Sequence, residues 1–163
     1  MRVFSLAAAL LLLLTGLAGA QTYQADEGGF KIGPRLTADV GDINDLALGG
    51  TLRIGSPSFP VQGSGAFDLY LSEREATVFT VDLNAQVPFD VEQWYTPYLG
   101  AGLGITRLSG RAGGGSTTDL GFNAVGGAEV DLRGILRPFV QVQLTLGDTF
   151  DRIGFTGGVL FDI

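Results

Sequence analysis

The stretch Phe30-Lys31-Ile32-Gly33-Pro34-Arg35-Leu36-Thr37-Ala38-Asp39-Val40 alternates with a period of two. Phe30, Ile32, Leu36, Ala38 and Val40 fall on one face; Lys31, Arg35, Thr37 and Asp39 fall on the other. That period is the signature of a strand whose two faces meet different environments. Seven further stretches carry it, at about 46–54, 59–71, 77–87, 94–107, 120–132, 136–146 and 153–163. Eight such strands predict an all-β chain: an eight-stranded antiparallel up-and-down transmembrane β-barrel.

The first twenty residues predict a cleavable signal peptide. Arg2 is the charged start, Leu10 to Leu14 is an unbroken apolar run, and Ala18-Gly19-Ala20 is a small-residue cleavage site. The run is shorter than the roughly 20 residues a spanning helix needs. The expected organisation is therefore a signal peptide over 1–20, a polar periplasmic lead-in over 21–28 and a barrel over 29–163. Loss of Arg2 leaves 9 basic against 17 acidic side chains, a net charge of −8. Nucleic acid is excluded as a partner, because no basic patch gathers counterion-release energy. Lys31 is the single lysine, mean hydropathy is +0.30, and no apolar run after the leader is long enough to span as a helix. Strands that face lipid on one side account for that combination.

Alternation alone does not say which face is outside. A soluble ligand-binding barrel turns its apolar face inward. Here strand 5 offers Gly100, Gly102 and Gly104 as its polar face, a poor solvated exterior but a useful lining for a narrow lumen. The opposite faces are rich in Leu, Val and Phe without charge, as lipid requires. With the N-terminus periplasmic, the longest loop, Leu108–Asp119, lies outside, and the tight Gly55–Ser58 and Arg133–Ile135 turns lie inside. Phe30, Phe59, Phe89, Trp94, Tyr95 and Phe161 then gather at the periplasmic rim, and Phe79, Phe122 and Phe155 at the outer rim. These are the two aromatic girdles of such barrels.

Thr96-Pro97-Tyr98-Leu99-Gly100-Ala101-Gly102-Leu103-Gly104 and the closing Val159-Leu160-Phe161-Asp162-Ile163 resemble the small eight-stranded outer-membrane barrels of OmpX/OmpA type. The likeness covers about Gly29 to Ile163. It implies residence in the cell outer membrane, contact with outer-membrane lipid, and recognition of the C-terminal strand by the outer-membrane insertion machinery. Such barrels usually finish on an aromatic residue; this chain finishes on Ile163, and Phe161 is the candidate for that role.

The chain has no histidine and no cysteine. That removes Ser-His and Cys-His nucleophiles and the usual transition-metal ligands, so no enzyme, catalytic residue, metal or cofactor is expected. The Gly110–Gly115 stretch lacks the Lys-Ser/Thr of a phosphate loop. The acidic loops 41–45, 72–76 and 147–151 lack the spacing of a calcium loop.

The informative constellation is a lumenal network of Lys31, Arg35, Arg53, Asp68, Tyr70, Asp82, Glu129 and Asp131, with Asp39 and Asp162 on the same faces. Charges in a narrow interior must pair. Arg35 is expected to reach Asp82 and Glu129 across the barrel, in room left by the strand 5 glycines. Two functions follow. One is a structural or surface-interaction barrel, plugged by that network, whose loops meet an extracellular partner. The alternative is a narrow channel, porin-like, for small or hydrophobic solutes.

Overall fold

The computed structural model describes residues 29–163 except 57, 72–75, 90, 92–93, 111–114 and 133. The expected signal peptide and lead-in, 1–28, lie outside the described residues. Eight strands follow in order: β1 Phe30–Gly41, β2 Leu46–Ser56, β3 Phe59–Tyr70, β4 Ala76–Pro88, β5 Tyr95–Gly110, β6 Ser116–Val130, β7 Leu136–Gly147 and β8 Asp151–Asp162. Each pairs antiparallel with its sequence neighbours, and β1 closes on β8 through pairs such as Arg35 with Gly158 and Gly41 with Arg152. Closure leaves no strand edge, so backbone groups are satisfied without water.

The faces settle what alternation left open. Leu83 and Val140 are each 64% exposed and Phe122 is 74% exposed, while Asp68 and Asp82 are 1% exposed. The apolar face is the outside, and the charges are the core. A soluble barrel would have the reverse, because water on that belt would expose apolar surface on every strand. This is a membrane-spanning arrangement.

Register places the aromatics as expected. Phe30 pairs with Ile54, Phe59 with Ser56, Tyr95 with Val130 and Phe161 with Leu136, all at one end. Phe89 joins them through its N–H to the Pro97 carbonyl, 2.8 Å away. Trp94 stacks edge-on against Tyr95, 5.4 Å between ring centres. Phe79, Phe122 and Phe155 sit toward the other end, opposite Arg107, Leu146 and Ala38. These are called below the Phe30 end and the Gly110 end.

Two boundaries differ from expectation. The expected long loop Leu108–Asp119 is mostly hairpin: Arg107 pairs with Thr118 and Ser109 with Ser116. Beyond the apolar belt both faces are wet, so the ladder continues after the apolar–polar alternation has stopped. As a result, connection length no longer distinguishes the ends, since 89–94 at the Phe30 end is longer than 111–115 at the other. Arg152, expected in a loop, lies inside β8.

The inward glycines of β5 have a local cause. Gly100, Gly102 and Gly104 pair directly with Gln86, Asn84 and Asp82. A Cβ on Gly100 would sit 2.9 Å from Gln86 Cγ, one on Gly102 2.6 Å from Asn84 Cα, and one on Gly104 2.9 Å from Asn123 Oδ1. Their space is therefore taken by the β4 backbone and by side chains of β4 and β6. Arg35 does not occupy it, contrary to expectation.

Candidate functional site

Among the described residues, buried charged and polar side chains converge in the lumen. It divides along the axis into two charged clusters. The one nearer the Gly110 end holds Arg35, Arg152, Asp39, Asp68 and Asp82. Arg35 grips Asp68 with two nitrogens, Nε at 2.8 Å from Oδ1 and Nη2 on Oδ2, and lies 3.9 Å from Asp82. Two parallel charge-assisted bonds hold a guanidinium in one orientation. Arg152 reaches Asp82 at 3.3 Å and Asp39 at 3.7 Å, and donates to the Tyr70 hydroxyl at 2.9 Å. Tyr70 passes its own proton toward Asp39 Oδ2 at 2.8 Å.

Amides extend this cluster around the wall. Asn123 donates to Asp82 at 2.9 Å and to Asn84 at 3.0 Å, and accepts from Thr145 at 2.8 Å. Gln141, Gln143 and Thr145 run in a donor–acceptor series along β7. Between Arg35, Asp39, Thr145, Arg152 and Thr156 the space remaining is about 10 Å³, roughly one water's room.

The second cluster, nearer the Phe30 end, holds Lys31, Arg53 and Glu129. Glu129 accepts from Arg53 on one oxygen and from Lys31 Nζ on the other at 3.1 Å. Arg53 also donates to Tyr98 Oη at 2.7 Å, and its guanidinium carbon lies 4.9 Å from the Phe139 ring centre. A guanidinium between aromatic faces keeps some electrostatic compensation out of water.

A small apolar cluster sits toward the Gly110 end. Ile43, in the β1–β2 connection, turns inward against Ala47, Tyr70 and Val78, with Leu108 beside them. Asn44 follows it with φ 53°, a left-handed conformation that Asn tolerates better than most residues. The 41–45 segment was expected only as an acidic loop.

Of the expected network, Lys31, Arg35, Arg53, Asp68, Tyr70, Asp82 and Glu129 are all buried in the lumen. Asp131 is not: β6 ends at Val130, and Asp131 is exposed at the rim, 4.0 Å from Arg137. Once the ladder stops, parity no longer sets the direction of a side chain. Asp162 is likewise a rim residue, held by Arg137 Nε at 2.7 Å. Among the described ion pairs, Arg35 meets Asp82 as expected but Glu129 bonds Lys31 and Arg53 instead. Arg152, Asn123, Tyr98 and Gln141 were missing from the expected network. Arg152 was legible, since it continues the parity of Gly154 and Thr156 backward from Ile153.

No protein-family model matches the sequence, and no curated protein does. Solved structures do match. Neisserial surface protein A aligns with a TM-score of 0.64 at 13% identity, over 85% of this chain and 98% of that one. The N-terminal β-barrel domain of Pseudomonas aeruginosa OprF aligns at 0.65 and 14% identity, over 83% and 99%. Ail, the attachment invasion locus protein of Yersinia pestis, aligns at 0.60 and 16%, over 85% and 100%, and is also known in complex with the heparin analogue sucrose octasulfate. At such identities the likeness is one of architecture. With a charged core, an apolar exterior and eight antiparallel strands closed on themselves, the chain has the fold of the small eight-stranded outer-membrane β-barrels.

Proposed function

We propose that this protein is a non-catalytic barrel of the cell outer membrane, structural or surface-interacting, whose lumen is plugged. The observation that carries the reading is the cross-linking of the lumen by Arg35–Asp68–Asp82–Arg152 at one level and Lys31–Glu129–Arg53 at another. A solute would have to break buried, multiply bonded ion pairs to pass, and parting such a pair is costly. Of the two readings open from the sequence, the plug has this support and the narrow channel loses the room its glycines seemed to offer.

The proposed orientation puts the Phe30 end, with its Trp94 and Tyr95, at the periplasm. A leader over 1–20 and a lead-in over 21–28 would deliver the chain there, and the β8 strand with Phe161 would meet the insertion machinery. The Gly110 end then faces outward and carries Asp42, Asp45, Asp148 and Asp151 around its connections. An extracellular partner of that end would be basic; a sulfated ligand of the kind seen on Ail would meet like charge. Planar-bilayer recording of the refolded protein tests the plug: the expected result is little or no conductance, and large steady channels would overturn it.

A further inference from the structure

One backbone carbonyl of the closed sheet lacks its ladder donor. Along an antiparallel strand, the N–H and C=O of one residue face one neighbour, and those of the next residue face the other. Bonds at the strand ends fix which is which. Ile163 donates to the Phe30 carbonyl at 3.0 Å, Asp162 to the Ile135 carbonyl at 3.0 Å, and Asp39 to the Asp45 carbonyl at 3.0 Å. Even residues of β1 and odd residues of β8 therefore face the β1–β8 seam. Odd residues of β1 face β2, and even residues of β8 face β7. Pro34 falls on the seam side, opposite Val159, and has no N–H to give the Val159 carbonyl. The ladder runs from Gly41–Arg152 to Arg35–Gly158, breaks, and resumes at Ile32–Phe161. Proline belongs at the margins of a sheet, and Pro97 and Pro138 obey that rule. By the same parity their nitrogens face ladders at or past the last pairs, Pro88–Tyr98 and Glu129–Phe139.

Glycines surround the gap, and glycine weakens a strand. Gly33 precedes Pro34, and Gly157 and Gly158 precede Val159. A Cβ on Gly33 would collide with the Val159 carbonyl. The outer neighbours show no such break. β1 pairs with β2 at every residue from Phe30 to Ala38, and β8 pairs with β7 at every residue from Asp151 to Phe161. Arg137 Nε adds a 2.7 Å bond to Asp162 on the β7 side. Beyond the gap, the seam ladder holds the pairs Ile32–Phe161 and Lys31–Asp162 and the Ile163 bond. So short a ladder, cut off from the rest, has little to lose by opening. Phe30 and Phe161 place it in the aromatic girdle, where water and headgroups receive freed backbone groups.

We propose that the seam is hinged at Pro34: toward the Phe30 end, β1 parts from β8 while each stays on its other neighbour. Parting opens a slot between the lumen and the membrane interface at that end. The inference holds whichever way the barrel faces and makes no use of the plug.

Amide hydrogen exchange, read residue by residue by NMR on the protein in lipid nanodiscs, tests the hinge. Ile32 and Phe161 donate across the seam. Lys31 donates to β2, and Leu160 and Asp162 donate to β7, all at the same end. Ile32 and Phe161 are expected to exchange several-fold faster than the other three. Pro34→Ala supplies the missing N–H and places its methyl on the exposed outer face. It should slow Ile32 and Phe161 several-fold and leave Lys31 and Leu160 unchanged. Equal exchange of the two sets in the wild type, or faster exchange at Leu160 and Asp162, would overturn the proposal. A folded Pro34→Ala barrel with Ile32 and Phe161 unslowed would do the same. Should the variant lose the unboiled gel mobility of the folded barrel, the wild-type pattern alone decides.

Discussion

The guanidinium carbon of Arg53 lies 4.4 Å from the centre of the Tyr98 ring, and the same guanidinium donates to that ring's hydroxyl at 2.7 Å. Arg53 is 2% exposed, so this one side chain joins β2 to β5 and, through Glu129, to β6 without help from solvent. Arg53→Ala should destabilise the barrel by about 3 kcal/mol, since it strands part of Glu129 and opens a gap beside Phe139. Arg53→Lys should recover only part of the loss, because an ammonium neither stacks nor forks. Urea unfolding in lipid vesicles measures both; equal stability of the Lys and wild-type proteins would remove the stacking from the account.

The inward and outward faces can be told apart by neighbours. Leu83 is 64% exposed and points to lipid; Asn84 is 6% exposed and accepts from Asn123. Leu83→Arg should cost about 2–4 kcal/mol if Leu83 lies near mid-bilayer. Asn84→Ala should cost about 1 kcal/mol for one buried hydrogen bond. Comparable folding free energies for the two in vesicles would mean the faces are exchanged.

Closure of β1 on β8 predicts resistance to detergent. Unboiled protein in SDS should run as a compact band distinct from the boiled one, with a β-type circular dichroism spectrum. A helical spectrum, or a monodisperse monomer in water without detergent, would remove the membrane-barrel assignment.

Arg35→Ala should destabilise the barrel and raise conductance above the wild-type level. It takes the bidentate partner from Asp68 and a neighbour from Asp82, leaving carboxylates short of positive charge. Bilayer recordings of the two proteins side by side check this. Identical, silent traces with unchanged stability would show that Arg35 closes nothing.

Nearly all of the fold was legible in the residues because a sheet with two unlike faces writes its register into the chain. Lys31, Arg35 and Arg53 could be placed on one face by parity, and the uncharged apolar faces opposite turned that face inward. What parity could not give was partnership: the tilt of the strands decides which inward residues share a depth, and so Glu129 meets Lys31 and Arg53 while Arg35 meets Asp68. It also failed at the rims, where the environment becomes the same on both faces. Asp131 lay beyond the last paired residue, and the 108–119 hairpin hid behind its polar sequence. Ile43 could not have been assigned, since an apolar residue in a loop carries no period.

The partition of lumenal charge has an electrical consequence. With every group ionised, Asp39, Asp68 and Asp82 outnumber Arg35 and Arg152 by one, while Lys31 and Arg53 outnumber Glu129 by one. The barrel is neutral across these groups as a whole yet polarised along its axis, like two oppositely doped layers in contact. An anion entering from the Gly110 end meets a negative layer first, and a cation entering from the Phe30 end meets a positive one. Each species would be turned back by a different layer, which is how the proposed plug would oppose ions of both signs although the charges of these groups sum to zero.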